Sequence, residues 1–351
     1  MFDTDIERIS YVDFTRADWL KLRHEIGGRN PDDDYVRFGG SDIGVVLGVN
    51  KYKAKGALFY ELLGLKSDHI KTNPHMFRGI QTEDVIAENW YPYFDPEHSN
   101  IYTLIENWEN ERIIRTTKVI KETLINPDYP HIFANIDRAV PAQLHHGNRV
   151  LEIKNMMWST IDKWEGEIDP GYVAQIRGYL MVTRWDEGEL FILKDTTEPL
   201  CFVIGRNEKL EAEINNQVNE FADRVLEARK LIAQETDQEA IWNIVHQLEP
   251  EPETTPAYIQ FLKEIHKPGN KEELEMDEEL INAVYTYSTI KAEGKVFEAE
   301  LVKHEALIRS YFETNNAIKF THPDSKQAIS WKSKLYIPPK FHIKVNERNT
   351  D

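Results

Sequence analysis

The sequence predicts an α/β fold in which a mixed central sheet is flanked by helices, followed by a mainly helical C-terminal region. Helix-like and strand-like segments alternate up to about residue 205. A Gly-Asn turn between apolar, β-branched runs indicates a β-hairpin at residues 131–155. From about residue 208, long charged amphipathic helices replace the alternation. We therefore expect a core domain at residues 1–207 and a helical region with a small β-hairpin at residues 208–351.

The N-terminal part contains several predicted helices, over residues 15–26, from Ser41 onward, and over residues 55–65 and 75–91. Thr15 precedes the first of them as an N-cap. Ser41 is predicted to cap the second, with Asp42 favourable to its dipole.

The remaining elements are predicted as follows: two strands within 101–122, the hairpin, a helix from Pro170 to Leu180, strands at 189–194 and 200–204, a helix at 208–234, an acidic proline-rich linker near 248–256, helices within 257–315 and a small hairpin at 317–331.

Composition limits the classes of protein that fit this chain. Hydrophobic residues make up 41% of the 351 residues, which is enough for a packed core. No run of 18 apolar residues exists, and the first residues show no secretory pattern. A single cysteine, Cys201, excludes an intrachain disulfide framework and a four-cysteine metal site. We therefore expect a cytoplasmic protein.

The net charge of −18 argues against a general electrostatic grip on nucleic acid, because neutralising phosphates normally requires a basic face. A locally basic groove on an acidic body remains compatible with this charge. The densest basic stretch of the C-terminal part is Lys332–Arg348, a composition that is also typical of an ordinary solvated tail.

The predicted hairpin carries an unusual set of polar side chains. Because alternate residues of a strand share a face, Glu152 and Lys154 point one way, opposite to their apolar neighbours. Asn135 and Asp137 on the preceding strand can meet them. Two carboxylates beside a lysine can hold Mg²⁺ and steer a water at a phosphodiester. The alternative is a solvated polar edge next to a turn.

A further carboxylate, Glu83, lies on an otherwise apolar stripe of the predicted helix at 75–91. A buried carboxylate is unfavourable unless it is paired or binds a metal. The alternative places the apolar face around Val85 and Ile86, with Glu83 at its rim.

These motifs together resemble the phage lambda exonuclease and YqaJ-type viral recombinase family, a branch of the PD-(D/E)xK nucleases. The resemblance covers roughly residues 15–205 and rests on five motifs in order: Gly39-Gly-Ser-Asp-Ile43 with Leu47-Gly48 close behind, Met76-Phe-Arg-Gly79 followed by Glu83, Asn135-Ile-Asp137, Glu152-Ile-Lys154 and Tyr172-Val-Ala-Gln175. It implies that residues 1–207 form a PD-(D/E)xK nuclease core.

The resemblance also implies a metal site. Asp137 and Glu152 would hold a catalytic Mg²⁺, for which Mn²⁺ could substitute, with the carbonyl of Ile153 and the carboxylate of Glu83 as further ligands. Lys154 would position or help to deprotonate the attacking water and offset charge in the transition state. Gln175 would form hydrogen bonds within the site.

Four residues would contact DNA or support the site by the same resemblance: Arg23, Ser41, Asn135 and Tyr172. The chain departs from the family in an insertion at residues 28–34, so Arg29 or Arg37 could take the place of Arg23 at the 5′-phosphate. Residue 138 is arginine where glycine is frequent, which we expect to change only the rim of the strand.

The implied activity is that of a Mg²⁺-dependent 5′-to-3′ exonuclease acting on double-stranded DNA ends in phage-type recombination, encoded by a phage or prophage. Relatives form trimeric rings, and a basic lumen would reconcile DNA binding with an acidic chain. The implied partner is a single-strand annealing protein.

Three alternatives stay open: a structure-specific or nicking endonuclease, a non-catalytic DNA-binding protein on a nuclease fold, and an acidic helical scaffold.

Overall fold

The computed structural model describes residues 2–67, 74–98, 100–142, 147–164, 167–265, 273–293, 298–315, 317, 319–324, 326 and 328–330. Part of the predicted hairpin turn and the basic stretch Lys332–Arg348 lie outside the described residues.

The described strands are β1 (Glu7–Ser10), β2 (Phe38–Gly39), β3 (Lys118–Val119), β4 (Glu122–Ile125), β5 (Ile132–Ala134), β6 (Arg138–Val140), β7 (Arg149–Met156), β8 (Glu187–Lys194), β9 (Glu198–Gly205), β10 (Glu273–Glu275), β11 (Lys319–Thr321) and β12 (Ala328–Ser330). The described α-helices are α1 (Arg16–Ile26), α2 (Gly40–Val46), α3 (Lys55–Leu62), α4 (Pro74–Asn89), α5 (Ile101–Glu109), α6 (Trp158–Ile161), α7 (Pro170–Thr183), α8 (Glu208–Ile232), α9 (Gln238–Leu248), α10 (Pro256–Ile265), α11 (Glu278–Glu293) and α12 (Glu298–Thr314).

The chain packs as two units. Unit 1 comprises Met1–Val49 and Glu61–Leu248, and unit 2 comprises Asn50–Tyr60 and Glu249–Asp351. By packing, α8 therefore belongs with the sheets of unit 1. The division into a core of residues 1–207 and a region of residues 208–351 stays a prediction, since packing alone does not decide which part folds independently.

The central sheet of unit 1 has the strand order β3-β6-β7-β8-β9. The hairpin strands β6 and β7 pair antiparallel, as predicted, whereas β7 and β8 run parallel. A parallel pair needs a crossover, and α7 lies between β7 and β8 in the chain. The sheet is therefore mixed, and its long central strand β7 carries Glu152 and Lys154.

Helices cover both faces of this sheet. One face packs Leu151, Ile153 and Phe191 against Ile86 of α4. On the other face, α7 lies so close to β8 that a Cβ added to Gly188 would stand 2.5 Å from the side chain of Ile176. The predicted alternation along β7 is thus confirmed: Leu151 and Ile153 face α4, and Glu152 faces α7.

A second sheet of unit 1 has the order β1-β4-β5-β2, in which β5 pairs antiparallel with β4 and parallel with β2. Strand β5 leads directly into the segment that carries Asn135 and Asp137. Strand β2 leads into α2, so this sheet sets the start of α2 beside the same segment.

Two local predictions at helix starts have different outcomes. Thr15 caps α1 as expected, because its Oγ1 accepts from the amide of Asp18 at 3.2 Å. The prediction that Ser41 caps α2 is wrong. The N-cap is Gly39, whose amide donates to the Asp42 carboxylate at 3.3 Å. The helix therefore starts two residues earlier than predicted, and Ser41 lies inside it.

The prediction of two strands within residues 101–122 is confirmed only at the end of that range, where β3 lies and β4 begins, and it is wrong for residues 101–109, which form helix α5. Asn100 caps this helix by accepting from the amide of Thr103 at 2.9 Å. Its apolar residues Ile101, Leu104 and Trp108 follow helical spacing, and Leu104 is buried in the core.

Helix α8 packs along unit 1 and fixes the inserted segment 28–34. The buried guanidinium of Arg229 donates to the backbone carbonyls of Gly28, Asp33, Tyr35 and Leu62 at 2.8–3.1 Å. Carbonyl oxygens that would otherwise lack partners are satisfied in this way. Arg229 of α8 thus contacts the insertion near both of its ends, at Gly28 and Asp33.

Unit 2 has its own core and its own small sheet. Helices α11 and α12 pack around an apolar cluster that includes Leu280, Val284, Ile308, Phe312 and Phe320. Strand β11 pairs parallel with β10 and antiparallel with β12. The predicted C-terminal hairpin is confirmed at residues 319–330, although residues 325 and 327 lie outside the described part.

The predicted fold class is confirmed, because mixed sheets flanked by helices build unit 1 and the C-terminal region is mainly helical. Within the described ranges, no helix is both long and apolar enough to span a membrane.

Candidate functional site

The β6–β7 hairpin brings the two predicted carboxylates to one place. Asp137 stands just before β6, and its Oδ2 accepts from the backbone amide of Ile153 at 3.2 Å. Glu152 directly precedes Ile153 in β7, and 2% of its surface is exposed. The pairing register of the hairpin, which sets Arg138 opposite Leu151, therefore places Asp137 beside Glu152.

The two oxygens of Glu152 differ in their surroundings. Oε1 accepts hydrogen bonds from Nζ of Lys154 and, at 2.8 Å, from Nε2 of Gln175. Oε2 is buried and has no hydrogen-bond partner among the described residues. A buried polar atom without a partner destabilises a protein by about 1–3 kcal/mol. Such an atom fits a site that receives a ligand, and a carboxylate oxygen fits a hard cation.

The candidate site has more carboxylates than ammonium groups, an excess of acidic groups that favours binding of a cation. Burial raises the pKa of Asp137 well above its usual range, and the neighbouring Glu152 raises it further. Burial also raises the pKa of Glu83, although Lys154 opposes this shift. Three carboxylates thus share one ammonium, and a divalent cation would restore the balance.

Lys154 is held in its charged form. Burial alone would lower the pKa of its ammonium, but the carboxylates of Glu152 and Asp137 outweigh burial and raise the pKa above its ordinary value. Its Nζ also donates to the carbonyl of Ile153 at 3.1 Å. In this arrangement Lys154 therefore donates both to Glu152 and to the carbonyl of Ile153.

Glu83 extends toward the site from α4, but its carboxylate does not form a close group with those of Asp137 and Glu152. It is half-buried, and the side-chain oxygens of Glu83, Asp137 and Glu152 do not all lie within 4.8 Å of one another. Neither predicted face of α4 is fully confirmed: Ile86 and Ala87 are buried, whereas Val85, like Met76 and Ile80 of the predicted stripe, is exposed.

Helix α4 is tied to the sheet by polar contacts. Arg138, with 4% of its surface exposed, donates to Oδ1 of Asp84 at 2.6 Å. Nδ2 of Asn155 donates to Oγ1 of Thr82 at 3.1 Å. The expectation that Arg138 changes only the rim of the strand is wrong, because its guanidinium is buried and links β6 to the helix that carries Glu83.

Helix α7 supplies the opposite wall of the site. It starts after Asp169, whose side chain accepts from the amide of Gly171 at 2.9 Å. The ring of Tyr172 lies one turn before Gln175, with its centroid 5.9 Å from Nζ of Lys154. The ring of Tyr172 is also 5.9 Å from that of Trp164. The structure therefore brings Tyr172 and Gln175 to Lys154 and Glu152, as predicted.

The candidate phosphate contacts gather at the start of α2. Nη2 of Arg23 donates to Oγ of Ser41 at 2.9 Å. Arg29 instead forms an ion pair with Asp42. Arg37 donates to the carbonyl of Pro130 at 3.1 Å and stacks on Tyr35.

Of the three candidate arginines, Arg23 is thus the one placed at Ser41. Asn135 lies between β5 and β6, and its Oδ1 accepts from Oγ1 of Thr123 at 2.6 Å.

Two tyrosines of the site were missed by sequence reasoning. Tyr179 lies one helical turn after Gln175, and Nε2 of Gln175 donates to its hydroxyl at 3.0 Å. The i, i+4 spacing on α7 could have indicated it. Tyr11 donates to the carbonyl of Ile120 at 3.1 Å, and burial together with the charge of Asp137 raises its pKa to about 12. No local pattern marks Tyr11, which is about 120 residues from its neighbours in the site.

Comparisons with known proteins agree with the resemblance. Residues 18–186 match the family model of the YqaJ-like viral recombinase domain. A stretch of 145 residues is 25% identical to the uncharacterized protein YqaJ of Bacillus subtilis (strain 168), and it covers 41% of this chain and 38% of that relative. The chain thus matches somewhat over a third of the length of this relative.

Two solved structures are similar. The alkaline exonuclease LHK-Exo of Laribacter hongkongensis has 17% identity and a TM-score of 0.40, with 56% of this chain and 92% of that chain covered. A phage-related exonuclease from Haemophilus somnus 129PT has 13% identity and a TM-score of 0.38, with coverages of 57% and 96%.

Proposed function

We propose that this chain, whose residues 18–186 match the family model of the YqaJ-like viral recombinase domain, is a Mg²⁺-dependent deoxyribonuclease that degrades double-stranded DNA from its ends in the 5′-to-3′ direction. The observation that carries the proposal is the buried and unpartnered Oε2 of Glu152, set beside Asp137 and the ammonium of Lys154. Carboxylate oxygens and a lysine on one strand face are suited to phosphodiester hydrolysis.

The residues that would hold the metal are Asp137 and Glu152, with the carbonyl of Ile153 and the carboxylate of Glu83 as further ligands. A bound Mg²⁺, or Mn²⁺ in its place, would act as a Lewis acid on the phosphate and would favour ionisation of water near pH 7. Because Gln175 and Lys154 both donate to Oε1 of Glu152, the carboxylate keeps Oε2 available.

Lys154 would act as a charged donor. The ammonium would orient the attacking water by a hydrogen bond and would offset the negative charge that develops on the phosphate oxygens. Its pKa, raised by Glu152 and Asp137, argues against a role as general base in the metal-free protein.

The Arg23–Ser41 pair supports a preference for DNA ends that carry a 5′-phosphate. A guanidinium and a hydroxyl that already contact each other at 2.9 Å offer several donors to one phosphate group. Helix α2 begins beside them, and its N-terminal amides add to this positive region. Binding of the 5′-phosphate would position the 5′ end of one strand in the site. Degradation would therefore start from that end and run in the 5′-to-3′ direction.

The net negative charge of the chain limits where DNA could bind. A net charge of −18 requires that the basic groups facing DNA be concentrated in one place. A trimeric ring with a basic lumen, acting with a single-strand annealing protein, is the assembly that we propose on this ground.

One assay tests the proposal: degradation of 5′-phosphorylated linear, 5′-hydroxyl linear and covalently closed circular duplex DNA, each with Mg²⁺ and with chelator. We expect Mg²⁺-dependent release of nucleotides from linear DNA, fastest with the 5′-phosphate, and intact circles. Cleavage of the circles would identify an endonuclease instead. Binding of duplex DNA without hydrolysis of any substrate would identify a non-catalytic DNA-binding protein.

A further inference from the structure

Tyr179 touches two parts of the candidate site. Its hydroxyl accepts a hydrogen bond from Nε2 of Gln175 at 3.0 Å, and the same nitrogen donates to Oε1 of Glu152 at 2.8 Å. An amide nitrogen of glutamine carries two hydrogens, so both are used. The hydroxyl of Tyr179 therefore fixes the rotation of the amide that restrains Glu152.

The ring of Tyr179 lies against the start of α2. A Cβ added to Gly40 would stand 2.4 Å from Cε1 of Tyr179 and 2.6 Å from its Cζ, distances that leave no room for a side chain. Gly40 directly precedes Ser41, which accepts from Arg23. One side chain thus spans the gap between the carboxylates and the Arg23–Ser41 pair.

Tyr179 is itself held rigidly. It has 5% of its surface exposed and sits within α7, where Oγ1 of Thr183 donates to its backbone carbonyl at 2.8 Å. Burial raises the pKa of its phenol well above the usual range, and the charge of Glu152 raises it further. The phenol is therefore neutral at ordinary pH.

We propose that Tyr179 is a positioning residue, whose hydroxyl aligns Gln175 so that Glu152 keeps Oε1 restrained and Oε2 free for a divalent cation. This inference rests on the proposed metal-dependent function of the same site. Without the hydroxyl, the Gln175 amide loses one of its two acceptors and gains rotational freedom, so the carboxylate of Glu152 is less well ordered when the ion arrives.

The test compares Tyr179→Phe with wild type in two measurements: Mn²⁺ affinity by titration calorimetry without DNA, and kcat on linear duplex. Substitution of residues that orient metal ligands typically weakens metal binding or activity about 10-fold to 100-fold, and we expect a loss at the lower end, about 10-fold in each. Tyr102→Phe, on the exposed face of α5, is the matched control and should change neither.

A double-mutant cycle separates positioning from general structure. If Tyr179 acts through Gln175, then Tyr179→Phe should add no further loss of Mn²⁺ affinity in a Gln175→Ala background. Because phenylalanine keeps the ring beside Gly40, the ratio of rates on 5′-phosphorylated and 5′-hydroxyl ends should stay at the wild-type value. Melting temperatures of the variants check that folding is retained.

The possible results are distinguishable. Wild-type Mn²⁺ affinity and kcat in Tyr179→Phe, or losses that simply add in the double variant, would overturn the positioning role while leaving the proposed function intact. A wild-type protein that neither binds Mn²⁺ nor degrades DNA would overturn both proposals.

Discussion

Gln175 on α7 donates from Nε2 to Oε1 of Glu152 on β7 at 2.8 Å, a bond that joins the helix to the central strand inside the candidate site. The bond orients the carboxylate of Glu152, a residue with 2% of its surface exposed. Since Lys154 donates to the same oxygen, the orientation is set from two sides. The metal binding that we propose therefore depends on the second oxygen of Glu152, Oε2.

Glu152→Gln should abolish divalent-cation binding at this site, because an amide replaces a charged oxygen with a neutral group. We expect Mn²⁺ titration to show no site of wild-type affinity, and Mg²⁺-dependent degradation of linear duplex to be lost. The exposed Glu220→Gln on α8 is the control and should behave as wild type. Retained Mn²⁺ affinity in Glu152→Gln would refute the metal assignment.

Lys154→Ala should lower kcat by about 10²-fold or more, because loss of one preorganised charged donor has an effect of this size. DNA binding should change little, since the ammonium is engaged by Glu152 and by the carbonyl of Ile153. Single-turnover kinetics and a gel shift, made on the same preparation, measure the two effects separately. A parallel loss of DNA affinity would contradict this role and would indicate a phosphate contact.

The sequence predicts those parts of the site that follow from local periodicity. Strand alternation in β7 places Glu152 and Lys154 on one face, and the Gly147-Asn148 turn signals the hairpin that returns the chain to Asp137. Helix α5 departs from the predicted strands, although Ile101, Leu104 and Trp108 follow helical spacing.

Other parts of the site depend on contacts between distant segments and have no local signal. The buried guanidinium of Arg138 pairs with Asp84 on α4, 54 residues earlier in the chain. Arg29 likewise pairs with Asp42, whose carboxylate also accepts from the Gly39 amide at the start of α2. Which charged residues pair with each other depends on tertiary packing, and no local sequence pattern indicates these pairs.

Arg23→Ala should reduce discrimination between DNA ends. Arg23 donates to Ser41 at 2.9 Å, so its loss removes a charged donor from the candidate phosphate pocket without touching Glu152. We expect kcat/KM on 5′-phosphorylated duplex to fall toward the value on 5′-hydroxyl duplex, which itself should change little. Arg16→Ala, on an exposed position of the same helix, is the control. Equal losses on both substrates would show that Arg23 serves another purpose.

Glu189→Gln should destabilise unit 1 strongly at neutral pH. Glu189 is fully buried and accepts from Arg115, from Arg149 at 2.9 Å and from the hydroxyl of Tyr91 at 2.8 Å. Breaking a buried ion pair by removing one partner lowers the free energy of unfolding by about 3–5 kcal/mol. Urea unfolding followed by tryptophan fluorescence measures this, because the tryptophans of the described residues lie in unit 1.

The effect of Glu189→Gln should depend on pH. Burial alone would raise the pKa of Glu189, but Arg115, Arg149 and Tyr91 together outweigh burial, and the pKa lies below the ordinary value of 4.5. A lowered folded pKa contributes stability that is complete above the unfolded pKa and is lost as the pH falls through the folded value.

The difference in free energy of unfolding between wild type and Glu189→Gln should therefore be constant near pH 7 and should shrink below about pH 4.5. Glu198→Gln, in an exposed pair with Lys194 on the neighbouring strand, provides the control and should differ from wild type by at most about 1 kcal/mol at any pH. A difference for Glu189→Gln that does not shrink on acidification would show that packing of the side chain, and not its charge, supports the sheet.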